Sequence, residues 1–212
     1  AAKSADAKQA VPPPLKATVS DNGTPTTAPM TREQTEASPQ QQEILDKVAQ
    51  TLKGKTAKDY YERGTTYLMV AEEASISAAY GLAAKDFSEA IKLDPKMVGA
   101  YSNRAMAYVR AGEVEKALAD FDAAAKLAPT NAQILGSKAS VLAKLGRDKE
   151  AIAVYDQAVK LGGGAPLMFN RGNAHLRLGQ TDQAKRDFAQ VAKESDSPQL
   201  VEAAKGNLEA LK

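Results

Sequence analysis

The hydrophobic and small residues of this chain recur with a period of 34 residues. One copy of the pattern consists of Tyr101, Ala105, Tyr108, Gly112, Ala117, Phe121 and Ala124. The matching residues of the next copy are Leu135, Ala139, Leu142, Gly146, Ala151, Tyr155 and Ala158. A third copy, 33 residues further on, consists of Met168, Gly172, His175, Gly179, Ala184, Phe188 and Val191. A fixed period of this length predicts an array of stacked units rather than a single globular core.

Within each copy the spacing predicts two antiparallel helices. Over 98–111 the apolar and small residues recur every three or four positions, and Gly112 can end this helix because glycine tolerates a left-handed backbone. Over 113–127 a second stripe, centred on Phe121, has alanines where the two helices approach closely. One pair cannot bury its apolar faces alone, so we expect neighbouring pairs and terminal caps to cover them.

The period, the alternation of large, small and aromatic positions, and the prolines Pro95 and Pro129 that close two copies resemble the tetratricopeptide repeat. This helix-turn-helix unit binds peptides and proteins. The resemblance covers about residues 57–194. It implies an all-α fold, a right-handed α-solenoid of about four helical hairpins with an N-terminal helix and a C-terminal capping helix.

The N-terminal region differs from the repeats in composition. Residues 1–37 contain Pro12-Pro13-Pro14 and no aromatic residue, which predicts a disordered Pro/Ala/Thr-rich tail. This composition favours a spacer over a docking peptide, although both interpretations fit it. The start at Ala1-Ala2-Lys3 without methionine fits either a cleaved signal peptide or an edited sequence, and the layout favours an exported protein, periplasmic or luminal, over a cytoplasmic one.

A leading amphipathic helix is predicted over 38–54. Ser38 can act as N-cap, Pro39 occupies the first helical position, and Gln41 can close a capping box. We expect the helix to run to about Lys53 and to end at Gly54. Its apolar face comprises Ile44, Leu45, Val48, Ala49 and Leu52. This face can cover the open end of the first repeat or dock into another copy of the chain, so the oligomeric state stays open.

The first repeat contains an insertion. Gly64 and Ala105 occupy equivalent positions but lie 41 residues apart, seven more than the period. One extra turn on each helix accommodates about seven residues at 3.6 per turn, which predicts an extended first hairpin. Its apolar tip, formed by Val70, Ile76 and Tyr80, is expected to protrude beyond its neighbour. The leading helix can pack on this projection, or the tip can serve as a partner site.

These patterns predict seven segments. They are the tail 1–37, the leading helix 38–54, the extended repeat 57–97, the repeats 98–131, 132–164 and 165–196, and the capping helix 197–212. Gly162-Gly163-Gly164 stands where a proline closes the earlier repeats, which predicts a freer bend between the third and fourth units.

Composition excludes several functional classes. The chain has 212 residues, a formal net charge of +2 and no cysteine, and it has no strongly basic character typical of nucleic-acid binding. No stretch is long and apolar enough for a transmembrane helix. The single histidine, His175, occupies a packing position, and the acidic pairs Glu72-Glu73 and Asp120/Asp122 are interpreted as solvated charges. The sequence therefore predicts no catalytic, metal or cofactor site.

The resemblance implies a concave groove lined by the first helix of each repeat. Its inward residues would be Tyr61, Thr65, Met69, Ser102, Asn103, Met106, Arg110, Ser137, Ser140, Lys144, Phe169, Asn170, Asn173 and Arg177. Asparagine amides can pair with a peptide backbone, and the row Arg110, Lys144 and Arg177 can attract carboxylates. These features favour a protein or peptide partner, including an acidic extended segment. The same residue types are also ordinary fillers at these positions.

One subfamily can be compared directly. Chaperone co-factors grip acidic C-terminal tails with a clamp of lysines, asparagines and an arginine. On the first three repeats the clamp positions hold Tyr61, Thr65, Asn103, Gln133 and Ser137, of which only Asn103 fits. The clamp is not matched. The sequence thus favours a non-enzymatic interaction adaptor; the alternative is a structural subunit of a larger, membrane-associated complex, docked through the N-terminal segment and the first hairpin.

Replacing Phe121 with alanine is expected to lower the free energy of unfolding by about 3 to 5 kcal/mol, because this ring packs between neighbouring units. Thermal melting followed by circular dichroism measures the change. An unmoved melting temperature, or a spectrum with substantial sheet, contradicts the stacked-hairpin interpretation.

Overall fold

The computed structural model describes residues 36–51 and 55–212, and ten α-helices are the regular elements of this part of the chain. They are α1 (Pro39–Ala49), α2 (Ala57–Glu73), α3 (Ala78–Leu93), α4 (Val98–Arg110), α5 (Val114–Leu127), α6 (Ala132–Lys144), α7 (Asp148–Lys160), α8 (Gly164–Arg177), α9 (Thr181–Glu194) and α10 (Pro198–Ala210). None of these helices combines the length and the apolar content that a bilayer crossing requires. The fold is all-α, as predicted.

The helices form two compact units. The first, here called unit 1, contains the described residues up to Leu127 and thus α1 to α5. The second, unit 2, spans Ala128–Lys212 and contains α6 to α10. In each unit, successive helices pack as hairpins around a row of buried aromatic rings: Phe87 and Phe121 in unit 1, Tyr155 and Phe188 in unit 2.

Helix α1 begins with the predicted cap. The Gln41 backbone N–H donates to Ser38 Oγ (3.3 Å), and the Ser38 backbone N–H donates to Gln41 Oε1 (2.9 Å). Leu45 and Val48 are buried in the core of unit 1, so the leading helix covers the first hairpin. The helix ends at Ala49, earlier than expected. The predicted apolar residue Leu52 and the predicted helix end at Lys53 and Gly54 lie outside the described residues, as do residues 1–35 of the tail predicted over 1–37.

The first hairpin of unit 1 is extended, but the prediction that Ile76 belongs to an exposed apolar tip is wrong. Helices α2 and α3 have 17 and 16 residues, against 13 and 14 in α4 and α5. Ile76 is only 1% exposed, and Val70 and Tyr80 are half-buried. The link between the helices turns back at Ser75, which has φ +52°, and the Ile76 backbone N–H donates to the Ala71 carbonyl (3.2 Å). The link therefore folds Ile76 into the hairpin.

A hydrogen bond and an ion pair, both to Glu72, hold the extended hairpin in place. The Tyr80 hydroxyl donates to Glu72 Oε1 (3.1 Å), and Arg110 Nη2 lies 2.9 Å from the same oxygen. Arg110 belongs to α4, so the extended hairpin is tied to the next one within unit 1. The guanidinium of Arg110, a residue predicted to line the groove, is therefore paired with Glu72.

In each of three hairpins, a bidentate arginine–aspartate pair joins the two helices. Arg63 on α2 donates to Asp86 on α3 through Nε (2.7 Å) and Nη2 (2.6 Å). The other two are Arg104–Asp120 in unit 1 (2.7 and 2.7 Å) and Arg171–Asp187 in unit 2 (2.9 and 2.5 Å). All three carboxylates are buried. The interpretation of Asp120 as a solvated charge is therefore wrong, because its partner lies 16 residues earlier on the facing helix.

In unit 2 the glycine link and the last helix have clear packing roles. A Cβ on Gly163 would lie 2.5 Å from Leu167 Cδ1 and 2.7 Å from the Ala158 carbonyl oxygen, so close packing requires glycine there. The freer bend at this link stays a prediction. Helix α10 starts at the Ser197 cap and buries Ala204 against the cluster around Phe188.

Asp187→Asn is expected to lower the free energy of unfolding by about 3 kcal/mol, because breaking a buried pair leaves an uncompensated charge. Arg171 would retain only Asp156, whose side chain is about half exposed. Chemical denaturation measures the loss. The matched control is Asp196→Asn, an exposed site in the same unit, where we expect a change within about 0.5 kcal/mol. Equal stability of the two variants contradicts a stabilising role for the pair.

Alkaline pH is expected to destabilise the protein partly through Tyr80. Burial, and next the Glu72 carboxylate, raise the pKa of Tyr80 from 10.0 to about 12. Between these values the unfolded chain releases the phenolic proton while the folded chain retains it, so the free energy of unfolding falls as pH rises above 10. Denaturation at pH 9, 10 and 11 measures the slope. Tyr80→Phe should make this slope shallower, and an identical slope contradicts the assignment.

Candidate functional site

A cleft of about 220 Å³ opens in unit 2 between the first helices of its two hairpins. Its lining residues are Ser140, Ala143, Lys144, Tyr155, Asn170, Asn173 and Arg177. Five of them, Ser140, Lys144, Asn170, Asn173 and Arg177, belong to the set expected from the sequence. They lie on α6 and α8, and their spacing along each helix places them on one face. The structure thus brings most of the residues predicted in unit 2 into a single site.

Tyr155 forms a polar part of the cleft that sequence reasoning missed. The Ser140 hydroxyl donates to the Gly136 carbonyl (2.9 Å), so its oxygen accepts the hydrogen bond from Tyr155 (3.0 Å). Burial raises the pKa of Tyr155, while the hydrogen bonds to Ser140 and Asn170 and the charge of Arg177 oppose that shift. The sequence pattern assigned Tyr155 to packing, and only its hydroxyl indicated a second role.

Arg177 enters the cleft as half of an ion pair. Its Nε lies 3.0 Å from both carboxylate oxygens of Asp148, and its Nη2 lies 2.6 Å from Oδ1. The Asp148 side chain is 6% exposed and the Arg177 side chain 47% exposed. Asp148 is the first residue of α7, where the helix dipole favours a negative charge. The repeat pattern contained no signal for this pair, because the preceding copy has Val114 in the place of Asp148.

The cleft combines charged and amide groups. Lys144 is exposed at the end of α6. Arg177 is at the end of α8, the first helix of the next hairpin. Asn170 and Asn173 lie two turns and one turn before Arg177 on α8, and Asn207 Nδ2 donates to Asn173 Oδ1 (3.5 Å). The lining thus includes two cationic side chains, Lys144 and Arg177, and two amides, Asn170 and Asn173.

The remaining predicted residues of unit 2 lie outside the cleft lining. Phe169 packs against Phe188, with ring centroids 5.4 Å apart, and contributes to the core around α9 and α10. Ser137 is half-buried on α6. His175 is half-buried, and its Nδ1 lies 2.6 Å from Gln180 Oε1 at the turn after α8. In the described part of the chain, no group of three or more acidic or histidine side chains is arranged to hold a metal ion.

In unit 1 the groove prediction is wrong for two central residues. Ser102 and Asn103 are 3% and 2% exposed, so neither presents a surface to a partner. Asn103 Nδ2 instead donates to the Tyr61 hydroxyl (3.2 Å), because the two side chains face each other between α2 and α4. Tyr61 in turn packs against Phe87, with ring centroids 5.8 Å apart.

The other groove residues expected in unit 1 have separate contacts and exposures. The Thr65 hydroxyl donates to the Tyr61 carbonyl within its own helix (2.9 Å), and Met106 is half-buried. Met69 is exposed, while Arg110 is engaged by Glu72. Of the groove residues expected from the sequence, five in unit 2 therefore line one cleft.

Several solved structures have a similar fold at low sequence identity. MamA from Desulfovibrio magneticus RS-1 is 18% identical, with a TM-score of 0.60, over 75% of this chain and 89% of that one. TTC0263 from Thermus thermophilus, a thermophilic TPR protein, is 18% identical with a TM-score of 0.55, over 80% and 99%. YrrB, described as a TPR protein with an unusual peptide-binding site, is 20% identical with a TM-score of 0.60, over 82% and 83%.

Sequence comparison supplies the family. No curated protein matches the chain. Family models described as tetratricopeptide repeat match residues 79–132, 102–166 and 167–197, which together cover more than half of the sequence. With the hairpins, the buried aromatic row and the similar solved structures, these matches show that the chain belongs to the tetratricopeptide repeat family.

Proposed function

We propose that the protein is a non-enzymatic adaptor whose unit 2 cleft binds an extended, acidic segment of a protein partner. The tetratricopeptide repeat fold supports protein–protein interaction in general, and members of the family are generally non-enzymatic interaction modules. The convergence of Lys144, Asn170, Asn173 and Arg177 on one cleft is the observation that carries the proposal.

The dimensions of the cleft favour part of a peptide over a free cofactor. Its volume of about 220 Å³ lies below the range of roughly 300 to 1,000 Å³ that is typical of small-molecule sites. A segment of one or two residues fits such a space while the rest of the peptide continues along the surface. YrrB, which shares the fold, is itself described as having a peptide-binding site, and the same ligand class suits this cleft.

The chemistry of the lining supports an acidic peptide. Each asparagine amide offers both a donor and an acceptor, which is the complement of a peptide group. Lys144 and Arg177 supply charge for a carboxylate, and charge-assisted hydrogen bonds of this type are stronger than neutral ones. Asn170 and Asn173 are half-buried, whereas Lys144 and Arg177 are exposed, so salt screens the charged interactions.

The alternative, a structural subunit docked through the N-terminal segment and the first hairpin, has less support. One of the three residues of its apolar tip, Ile76, is buried inside the hairpin. The N-terminal segment on which it also depends lies outside the described residues.

Lys144→Glu is expected to weaken peptide binding by about tenfold or more, because it reverses one of two cations in the cleft. Peptides selected from a random displayed library against the full chain serve as probes, and fluorescence anisotropy measures their Kd at two salt concentrations. The salt dependence should also decrease.

Lys160→Glu is the matched control, since it makes the same charge change in unit 2 outside the cleft lining. It should leave the Kd close to that of the natural sequence. Equal affinity of the Lys144→Glu variant and this control would exclude the cleft as the binding site.

A further inference from the structure

We infer that Asp148 determines which anion the unit 2 cleft accepts: it positions Arg177 to bind a carboxylate and disfavours a doubly charged phosphoryl group. This inference rests on the function proposed above and names the chemical group that the cleft recognises. Asp148 itself is a positioning residue, because its carboxylate contacts Arg177 and it is absent from the cleft lining.

The hydrogen bonds determine which edge of the guanidinium is left for a ligand. Asp148 occupies Nε and Nη2 of Arg177. Nη1 forms no hydrogen bond with any residue that the structure describes. Since Arg177 lines the cleft, Nη1 is the donor that an incoming anion can use, with the Lys144 ammonium on the facing helix. The buried carboxylate thus holds a flexible side chain in an orientation suited to one small anion.

The charge of Asp148 acts on the ligand as well as on Arg177. An anion held by Nη1 lies within about 6 Å of the Asp148 carboxylate, a distance at which like charges still repel in a partly buried site. A phosphoryl group carries about −1.5 to −2 charges at pH 7, whereas a carboxylate carries one. Asp148 therefore repels the phosphoryl group more strongly than it repels the carboxylate.

This difference separates the electrostatic role of Asp148 from a structural one. If Asp148 only oriented Arg177, its replacement would weaken the binding of the doubly charged phosphoryl group at least as much as that of the carboxylate, so the ratio of phosphoserine to glutamate affinity would not rise. If the charge of Asp148 selects the ligand, its replacement raises this ratio. The ratio is consequently the decisive quantity.

Four short probes test the inference on the full chain. They are acetyl-Gly-Glu-Gly-amide, acetyl-Gly-Gln-Gly-amide, acetyl-Gly-phosphoserine-Gly-amide and acetyl-Gly-Gly-Gly with a free C-terminus. NMR titration follows the backbone amide signals of Ser140, Lys144 and Asn170. The glutamate probe should bind more tightly than the glutamine probe. The last probe shows whether a C-terminal carboxylate is accepted in place of a side-chain carboxylate, and tighter binding of either carboxylate source than of the glutamine probe supports the inference.

In Asp148→Asn, the affinity for the phosphoserine probe relative to the glutamate probe should rise by about tenfold, as expected when one nearby like charge is removed. Asp196→Asn, which makes the same charge change at an exposed site in unit 2, should leave the ratio unchanged. If Asp148→Asn does not fold by circular dichroism, Asp148→Ser replaces it, because serine is short, polar and uncharged.

An unchanged or lower ratio of phosphoserine to glutamate affinity in the folded Asp148 variant overturns the inference. So does binding of both carboxylate probes that is no tighter than that of the glutamine probe, or the absence of cleft shifts with both carboxylate probes. These failures are distinct from failure of the proposed function, which is decided by the Lys144→Glu variant and the selected peptides.

Discussion

The buried arginine–aspartate pair inside a hairpin is the interaction on which the arrangement of the helices depends. A buried charge is strongly destabilising without its partner, so each pair permits only one axial alignment of its two helices. In the extended hairpin the paired residues Arg63 and Asp86 are 23 positions apart, whereas Arg104 and Asp120 are 16 apart. The seven inserted residues therefore lie between Arg63 and Asp86 in the sequence, in the part of the hairpin that contains the turn. Tyr60 and Tyr67 flank Arg63, each with the guanidinium about 5.9 Å from the ring centroid, which adds a cation–π contribution.

The hairpin formed by α6 and α7 departs from this arrangement, and the cleft lies beside it. Lys138 and Val154 occupy the positions that hold arginine and aspartate in the other hairpins, so the aspartate of the buried pair is replaced by an apolar residue. A hydrogen bond between Ser140 and Tyr155 joins α6 and α7 instead, and both residues line the cleft. The change in the interhelical contact and the candidate binding surface coincide at the same helices.

The candidate site was only partly predictable. Ser140, Lys144, Asn170, Asn173 and Arg177 could be grouped because a constant period places equivalent first-helix residues side by side. The same argument failed for Asn103, which faces Tyr61 in the interior, and for Arg110, which is held by Glu72. A period specifies the position of a residue in its hairpin. It does not specify whether a neighbouring side chain is large enough, or suitably charged, to occupy it.

The sequence by itself determined the helices, the cap at Ser38, and the extra turn in the first hairpin. These features depend on residues three or four positions apart, whose geometry is the same in every helix. Only the tertiary structure decided that Ile76 is buried and that Asp148 is the partner of Arg177. The latter two residues are 29 positions apart in the chain, and they meet because two helices pack at a particular alignment. Contacts of that kind depend on the whole set of packed side chains, and no local pattern encodes them.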